Sequence, residues 1–354
     1  MLASSYCVQK NLIPSERSLY RSDERLSEER EVRRSKGSLA TALTNYKKDV
    51  DNFEKYGVTR LDLITANAKI KKQKDFLDYS YIKDNTTGNT FSLKDCIVSS
   101  NHNPQRYYAE IQNRIDTLQR EAQNTNLTPV FLTITLPSEF HSMKQHKKTK
   151  QLIKNKIYNG TEPREATKIL TKMWAKLRQD RSLKELSKNQ RMYYRVNEPH
   201  KDGTPHAHIL LFIPADRIER VEKAFNHLYF SKSNKFVKDI ENAKSYIMKY
   251  INKTLPKSKE QLTQDDEYLN TWYIKHRINR FCSSRSTAPM YLHRLLNHRF
   301  TLYALTQIKK GNSLKVLVTL DTEKIMEIWD DNELLYMRNE NFEIHLANEY
   351  KKAA

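Results

Sequence analysis

Glycine is scarce, six residues in a chain of 354. So thin a supply excludes Gly-rich phosphate loops, collagen-like repeats and glycine linkers as organising features. No GxxxxGK[ST] pattern occurs, so no P-loop helicase is expected within this sequence. Cysteine is rare too. Cys7, Cys96 and Cys282 lie far apart and form no CxxC pair. That fits neither a zinc finger nor a disulfide framework, and reduced thiols in a reducing compartment are expected. Long apolar runs are missing: none approaches the ~18 residues of a spanning helix. The opening "MLASSYCVQKNLIPSERS" has no apolar signal-peptide core. A soluble intracellular protein with no membrane partner is the expectation.

Positive charge is what the chain has in excess. Lys and Arg number 62 against 42 Asp and Glu, a formal net charge of +20. A basic balance of that size favours a polyanion as partner, most simply nucleic acid. The 20 tyrosines and 12 phenylalanines supply material for a core and, in a nucleic-acid binder, rings on which bases stack.

Three regions differ in texture. Residues 1–125 are charged and mainly helical, with Leu39, Leu43 and Tyr46 on one side of an early helix. Within them, Ile111, Ile115 and Leu118 align in an amphipathic helix over 106–123. Residues 126–258 alternate between strand and helix. "TPVFLTITLP" (128–137) is a β-branched, alternating run stopped by Pro137. A helix is expected over 165–186, strands over 191–197 and 205–214, a helix over 215–230, a short strand at "KFVKDI" and a helix over 241–255. The order β-α-β-β-α-β-α predicts an α+β fold, a central mainly antiparallel sheet with helices. Residues 259–354 are expected to be mainly helical, with a strand at 314–320. Trp174, Tyr193 and Tyr194 are read as packed residues, and His293 and His298 as surface histidines in a basic stretch (277–300) suited to duplex or hairpin DNA.

Within "NEPHKDGTPHAHILLFIP" (197–214), His206 and His208 alternate, so they share one face of a strand. Folding the "PHKDGTP" turn as a hairpin brings Glu198 beside them. Two imidazoles and a carboxylate suit a divalent ion; a surface histidine pair with a solvated glutamate fits the same spacing. On the helix "ENAKSYIMKYINKT", Tyr246 and Tyr250 stand four apart on one face, each followed three residues later by a lysine, Lys249 and Lys253. A phenol is a poor nucleophile unless a cation or a metal-activated phosphate lowers the barrier. Paired tyrosines also commonly finish a core.

Three motifs in order, "FLTITLP" (131–137), "EPHKDGTPHAHILLF" (198–212) and "SYIMKYINK" (245–253), resemble those of the HUH endonucleases. Among these they are most similar to the phage replication gene A proteins that initiate rolling-circle replication. The resemblance spans roughly 128–255, with none visible in either flank. It implies an HUH nuclease domain over 126–258, with His206, His208 and Glu198 holding Mg2+ or Mn2+. It implies Tyr246 and Tyr250 as nucleophiles that form a 5′-phosphotyrosine link at a replication origin, with Lys249 and Lys253 neutralising phosphate or phenolate. Single-stranded DNA, a separate host helicase and the bacterial host cytoplasm follow as expected partners and place. A two-tyrosine transposase, a plasmid initiator or relaxase, and a catalytically silent DNA-binding module are the alternatives. A histidine-triad hydrolase would need a third alternating histidine, and position 210 is Leu.

Overall fold

The computed structural model describes residues 55–146, 148–149, 151–229, 233–255, 263–296, 300–310, 316–321, 324–330, 333–337 and 342–346. The helix expected around Leu39, Leu43 and Tyr46 lies outside them, as does His298. The chain divides into two compact units. One comprises Phe53–Asn67 and Pro104–Thr287; the other comprises Met1–Asn52, Ala68–Asn103 and Ala288–Ala354.

In chain order, α1 (Arg60–Asp78) precedes β1 (Ser80–Asp84), β2 (Thr90–Ser92) and α2 (Leu93–Cys96). Next come α3 (Pro104–Asn124), β3 (Leu127–Thr135), the small hairpin β4 (Met143–Gln145) and β5 (Leu152–Lys154), α4 (Pro163–Gln179) and α5 (Arg181–Lys184). Strands β6 (Met192–Pro199) and β7 (Pro205–Pro214), helix α6 (Ile218–Leu228), β8 (Lys235–Val237), α7 (Ala243–Thr254), α8 (Gln264–His276) and β9 (Phe281–Ser283) complete the first unit. The other unit ends with α9 (Met290–Leu295), α10 (Leu302–Lys309), β10 (Val316–Asp321), β11 (Lys324–Asp330), β12 (Glu333–Met337) and β13 (Phe342–Leu346).

The core of the first unit is an antiparallel five-stranded sheet in the order β8-β3-β7-β6-β9. Strand alternation sorts its side chains into two layers. Val130, Leu132, Ile134, Ala207, Ile209, Leu211 and Ile213 face one way and pack with Leu170, Trp174 and Leu177 of α4 and Val221 and Phe225 of α6. Phe131, Tyr194, Val196, Leu210 and Phe212 face the other way and pack with Ile111, Ile115 and Leu118 of α3 and with Ile247 and Ile251 of α7. With both faces covered, the inner strands read as near-continuous apolar runs, and each fully buried Leu, Ile or Phe contributes about 1.5–3 kcal/mol. The α+β architecture is as the element order implied.

Four features depart from expectation. The helix read over 165–186 stops at Gln179, because the Asp180 side chain accepts the Ser182 amide at 2.8 Å and starts a separate helical turn. The C-terminal region, expected to be mainly helical, carries four strands between Val316 and Leu346 as well as its helices. Runs such as "KIMEIWD" and "FEIHL" alternate in the strand period. His293 is no surface residue but buried, 3% exposed, in α9, whose Leu292 joins a small core with Ala288, Leu296, Leu302 and Leu305. Cys282 is a free thiol, whereas Cys96 is disulfide-bonded, against the expectation of reduced thiols throughout.

Candidate metal centre and tyrosine pair

The β6–β7 hairpin places Glu198 directly opposite His206, and Val196 opposite His208. Glu198, His206 and His208 therefore fall on one face. Glu198 Oε2 lies 3.7 Å from His206 Nε2 and 3.6 Å from His208 Nε2. Their ligand atoms all lie within 4.8 Å of one another, and among the described residues this is the one such group of three or more. The separations are long for hydrogen bonds. They suit an ion held at about 2.0–2.3 Å from each atom, where neighbouring donors stand about 3–4 Å apart. Glu198 Oε1 and His206 Nδ1 are buried without a partner, the signature of donors and acceptors awaiting something. The three residues thus fit a divalent ion.

The neighbours fix the rings. On β3, Thr133 sits opposite His208, and its Oγ1 lies 3.1 Å from His208 Nδ1. With Nδ1 so engaged, Nε2 is the nitrogen that faces Glu198, the arrangement a ligating imidazole needs. His206 is stacked against His200 with ring centroids 4.1 Å apart. His200 in turn lies 5.0 Å from the His141 ring, and His141 Nδ1 is 3.1 Å from Asp202 Oδ2. Burial, reinforced by neighbouring histidines and Lys253, holds His206 well below the usual imidazole range. Burial, with His141 beside it, lowers His200 to about 4. Both rings are neutral at neutral pH, as metal ligation requires.

The turn between the strands is clasped from outside. The Tyr56 amide donates to Lys201 O at 3.1 Å, and Trp272 Nε1 donates to Gly203 O at 2.9 Å. Tyr273 Oη donates to Asn197 O at 2.5 Å. Gly203 sits at φ +86°, and a Cβ there would stand 2.3 Å from Tyr56 O. Only glycine fits.

Helix α7 carries the tyrosines over the same face. Asn242 caps it by accepting the Ser245 amide at 2.9 Å. Ala243, Ile247 and Ile251 are buried, which leaves Tyr246 and Tyr250 half-buried at the edge. Two side-chain links brace α7 on α3: Lys244 with Asp116 at 2.6 Å, and Tyr108 Oη to Asn252 Oδ1 at 2.8 Å. The Tyr250 ring lies 3.8 Å from the His208 ring and 5.1 Å from Phe131. Tyr246 lies 6.3 Å from Tyr250 and 4.6 Å from Phe131. Lys249 Nζ stands 5.2 Å from the Tyr246 ring and Lys253 Nζ 5.1 Å from the Tyr250 ring. Burial, then the proximity of Tyr246 and Glu198, pushes the Tyr250 phenol up. The structure gathers Glu198, His206, His208, Tyr250 and Lys253 and keeps Tyr246 and Lys249 one helical turn away. Thr133, His141, His200 and Asp202 were not singled out from the sequence. Strand alternation through "FLTITLP" would have put Thr133 on the face of Phe131, but its partner is 75 residues away.

No solved structure matches the chain. Relatives include a "Replication protein" of Haemophilus phage HP1, 35% identical over 46% of this chain and 21% of the relative. The "Replication gene A protein" of Escherichia phage 186 is 28% identical over 60% of this chain and 33% of its own length. A "Probable replication endonuclease from prophage-like region 1" of Salmonella typhi is 30% identical over 56% and 26% respectively. The chain thus spans about a fifth to a third of these relatives. Residues 60–258 match the bacteriophage replication gene A protein (GPA) family, beginning well before the motifs. The earlier start takes in α3, which braces the tyrosine helix yet carries no motif of its own. Residues 60–258 being more than half of the chain, the protein belongs to the bacteriophage replication gene A protein family.

Proposed function

We propose that this chain initiates replication as a metal-dependent single-strand DNA endonuclease and strand transferase. The observation that carries the reading is the meeting on one sheet face of Glu198, His206 and His208 with the Tyr250 ring, 3.8 Å from His208. Glu198, His206 and His208 would hold Mg2+ or Mn2+, which when bound polarises a phosphate oxygen. The Tyr250 or Tyr246 hydroxyl attacks the phosphorus. The bond from phosphorus to the 3′ oxygen breaks, the phenol proton ends on that oxygen, and a 5′-phosphotyrosine link remains. In the reverse step a 3′-hydroxyl attacks the link and the phenol is released, so joining needs no nucleotide cofactor. Lys253 and Lys249, beside the two rings, offset charge on phosphate and phenolate. A second tyrosine one turn away supplies a second cleavage after a round of copying. Strand separation falls to a separate host helicase, and the host cytoplasm is the place where these components meet.

The test uses single-stranded DNA tiled across the replicon that encodes the chain, with Mn2+, resolved on a denaturing gel. A covalent adduct should form, vanish in EDTA and be lost in His206→Ala. Tyr246→Phe combined with Tyr250→Phe should abolish it while DNA binding persists. Binding without any adduct would mark a silent DNA-binding module instead.

A further inference from the structure

The sheet face opposite the metal centre holds an unexplained arrangement of charge. Arg195, on β6, is 6% exposed, yet no carboxylate pairs with it. Its Nη2 makes only long contacts, 3.4 Å to Thr171 Oγ1 and 3.6 Å to Cys282 Sγ, and its Nε has no partner. Arg178 also lacks an acidic partner. Its guanidinium lies over the Trp174 and Tyr193 rings, 5.6 and 5.8 Å away, and its Nε is likewise unpartnered. Trp174 Nε1, between them on α4, is a third buried donor without an acceptor. Taking a guanidinium out of water without a counter-charge is costly, and every unsatisfied side-chain atom named here is a donor.

Geometry aligns these groups. Thr171, Trp174 and Arg178 follow at helical spacing along one side of α4, so Thr171 and Arg178 stand about 10 Å apart. Tyr193 and Arg195 share one face of β6, beneath that side. Strand β9 is the edge of the sheet, so the cleft between it and α4 is not covered by a further strand. Thr171 and Lys172 are exposed at its lip. A ligand that answers this pattern is acceptor-rich, carries repeated negative charge and extends along about 10 Å, as consecutive phosphates of a nucleic-acid strand do.

We propose that Arg195, Arg178 and Lys172 form a phosphate track that binds single-stranded DNA on the side of the sheet away from the metal centre. Here the strand passes without being cut. The inference rests on the nucleic-acid reading above and adds a second contact surface to it.

The test measures binding of the full chain to a fluorescein-labelled 40-nucleotide oligo(dT) across a salt series. Arg195→Met, Arg178→Gln and Lys172→Gln each remove one positive charge. So does the control Lys223→Gln, an exposed residue of α6. Each track variant should flatten the slope of log affinity against log salt by about 0.7; the control should change it by much less. The thermal midpoint of Arg195→Met should be unchanged or raised, since an unpaired buried charge is gone. Slopes equal to the control in all three track variants would overturn the proposal. So would a lowered midpoint in Arg195→Met with unaltered slopes in the other two, which marks a structural arginine. Adduct formation at saturating DNA should be unaffected in all variants. An adduct with unchanged slopes removes the track alone, whereas an arginine-dependent slope without any adduct removes the endonuclease reading and leaves the track standing.

Discussion

Thr133 and His208 meet only because β3 and β7 pair in one register, and that meeting sets which imidazole nitrogen faces Glu198. If the three-residue group holds a metal, Thr133→Val should weaken Mn2+ binding about tenfold or more, with Thr133→Ser restoring most of it, as read by calorimetric titration. A second residue-scale expectation concerns Asp202. Its burial alone would push the carboxyl up, but hydrogen bonds with His141 and with the Thr204 amide and hydroxyl outweigh burial and hold it below the usual range. A depressed carboxyl contributes stability that is present above the unfolded value of about 3.9 and lost as pH falls through the folded value. Wild type should therefore exceed Asp202→Asn by about 1–3 kcal/mol near neutrality. The gap should close below about pH 4 in denaturant titrations. A gap that persisted at low pH would contradict this account.

At the scale of elements, the hairpin that carries the site is held by pieces distant in sequence. Tyr56 and Trp272 bond its turn, and Gly203 allows the close approach of the Tyr56 carbonyl. Gly203→Ala should cost more than about 2 kcal/mol, by clash and left-handed strain together, measured by urea unfolding. The hairpin itself was readable. "PHAHILLFIP" alternates and ends in proline, and "FLTITLP" does the same, so β3 and β7 fall within two residues of expectation. The tyrosine helix was readable from Ala243, Ile247 and Ile251, whose spacing left Tyr246 and Tyr250 on the flank. Strand β9 was not. Its three residues carry no period, and it exists only because β6 offers a free edge. The clasp at Tyr56 was equally hidden, because a backbone amide meeting a carbonyl 145 positions away leaves no mark in residue types.

For the whole molecule, charge is the property visible earliest. A net +20 should make DNA binding strongly salt-dependent, log affinity falling with log salt by about 0.7 for each single-strand phosphate neutralised. A nearly flat dependence in fluorescence anisotropy would separate the excess charge from DNA contact. The division into two units was beyond composition, since one of them gathers segments from both ends of the described chain around the other. Pairing of β1 with β13 shows why: strands more than 250 residues apart share a sheet, and no local pattern announces a partner that distant.

The direct opposition of Glu198 and His206 has a further consequence. Every ligand candidate on β6 and β7 has an even number, so the site depends on parity. One residue inserted within either strand turns the downstream side chains onto the opposite face, and two bring them back. Change along this hairpin is therefore expected in even steps, with odd ones confined to its exposed ends.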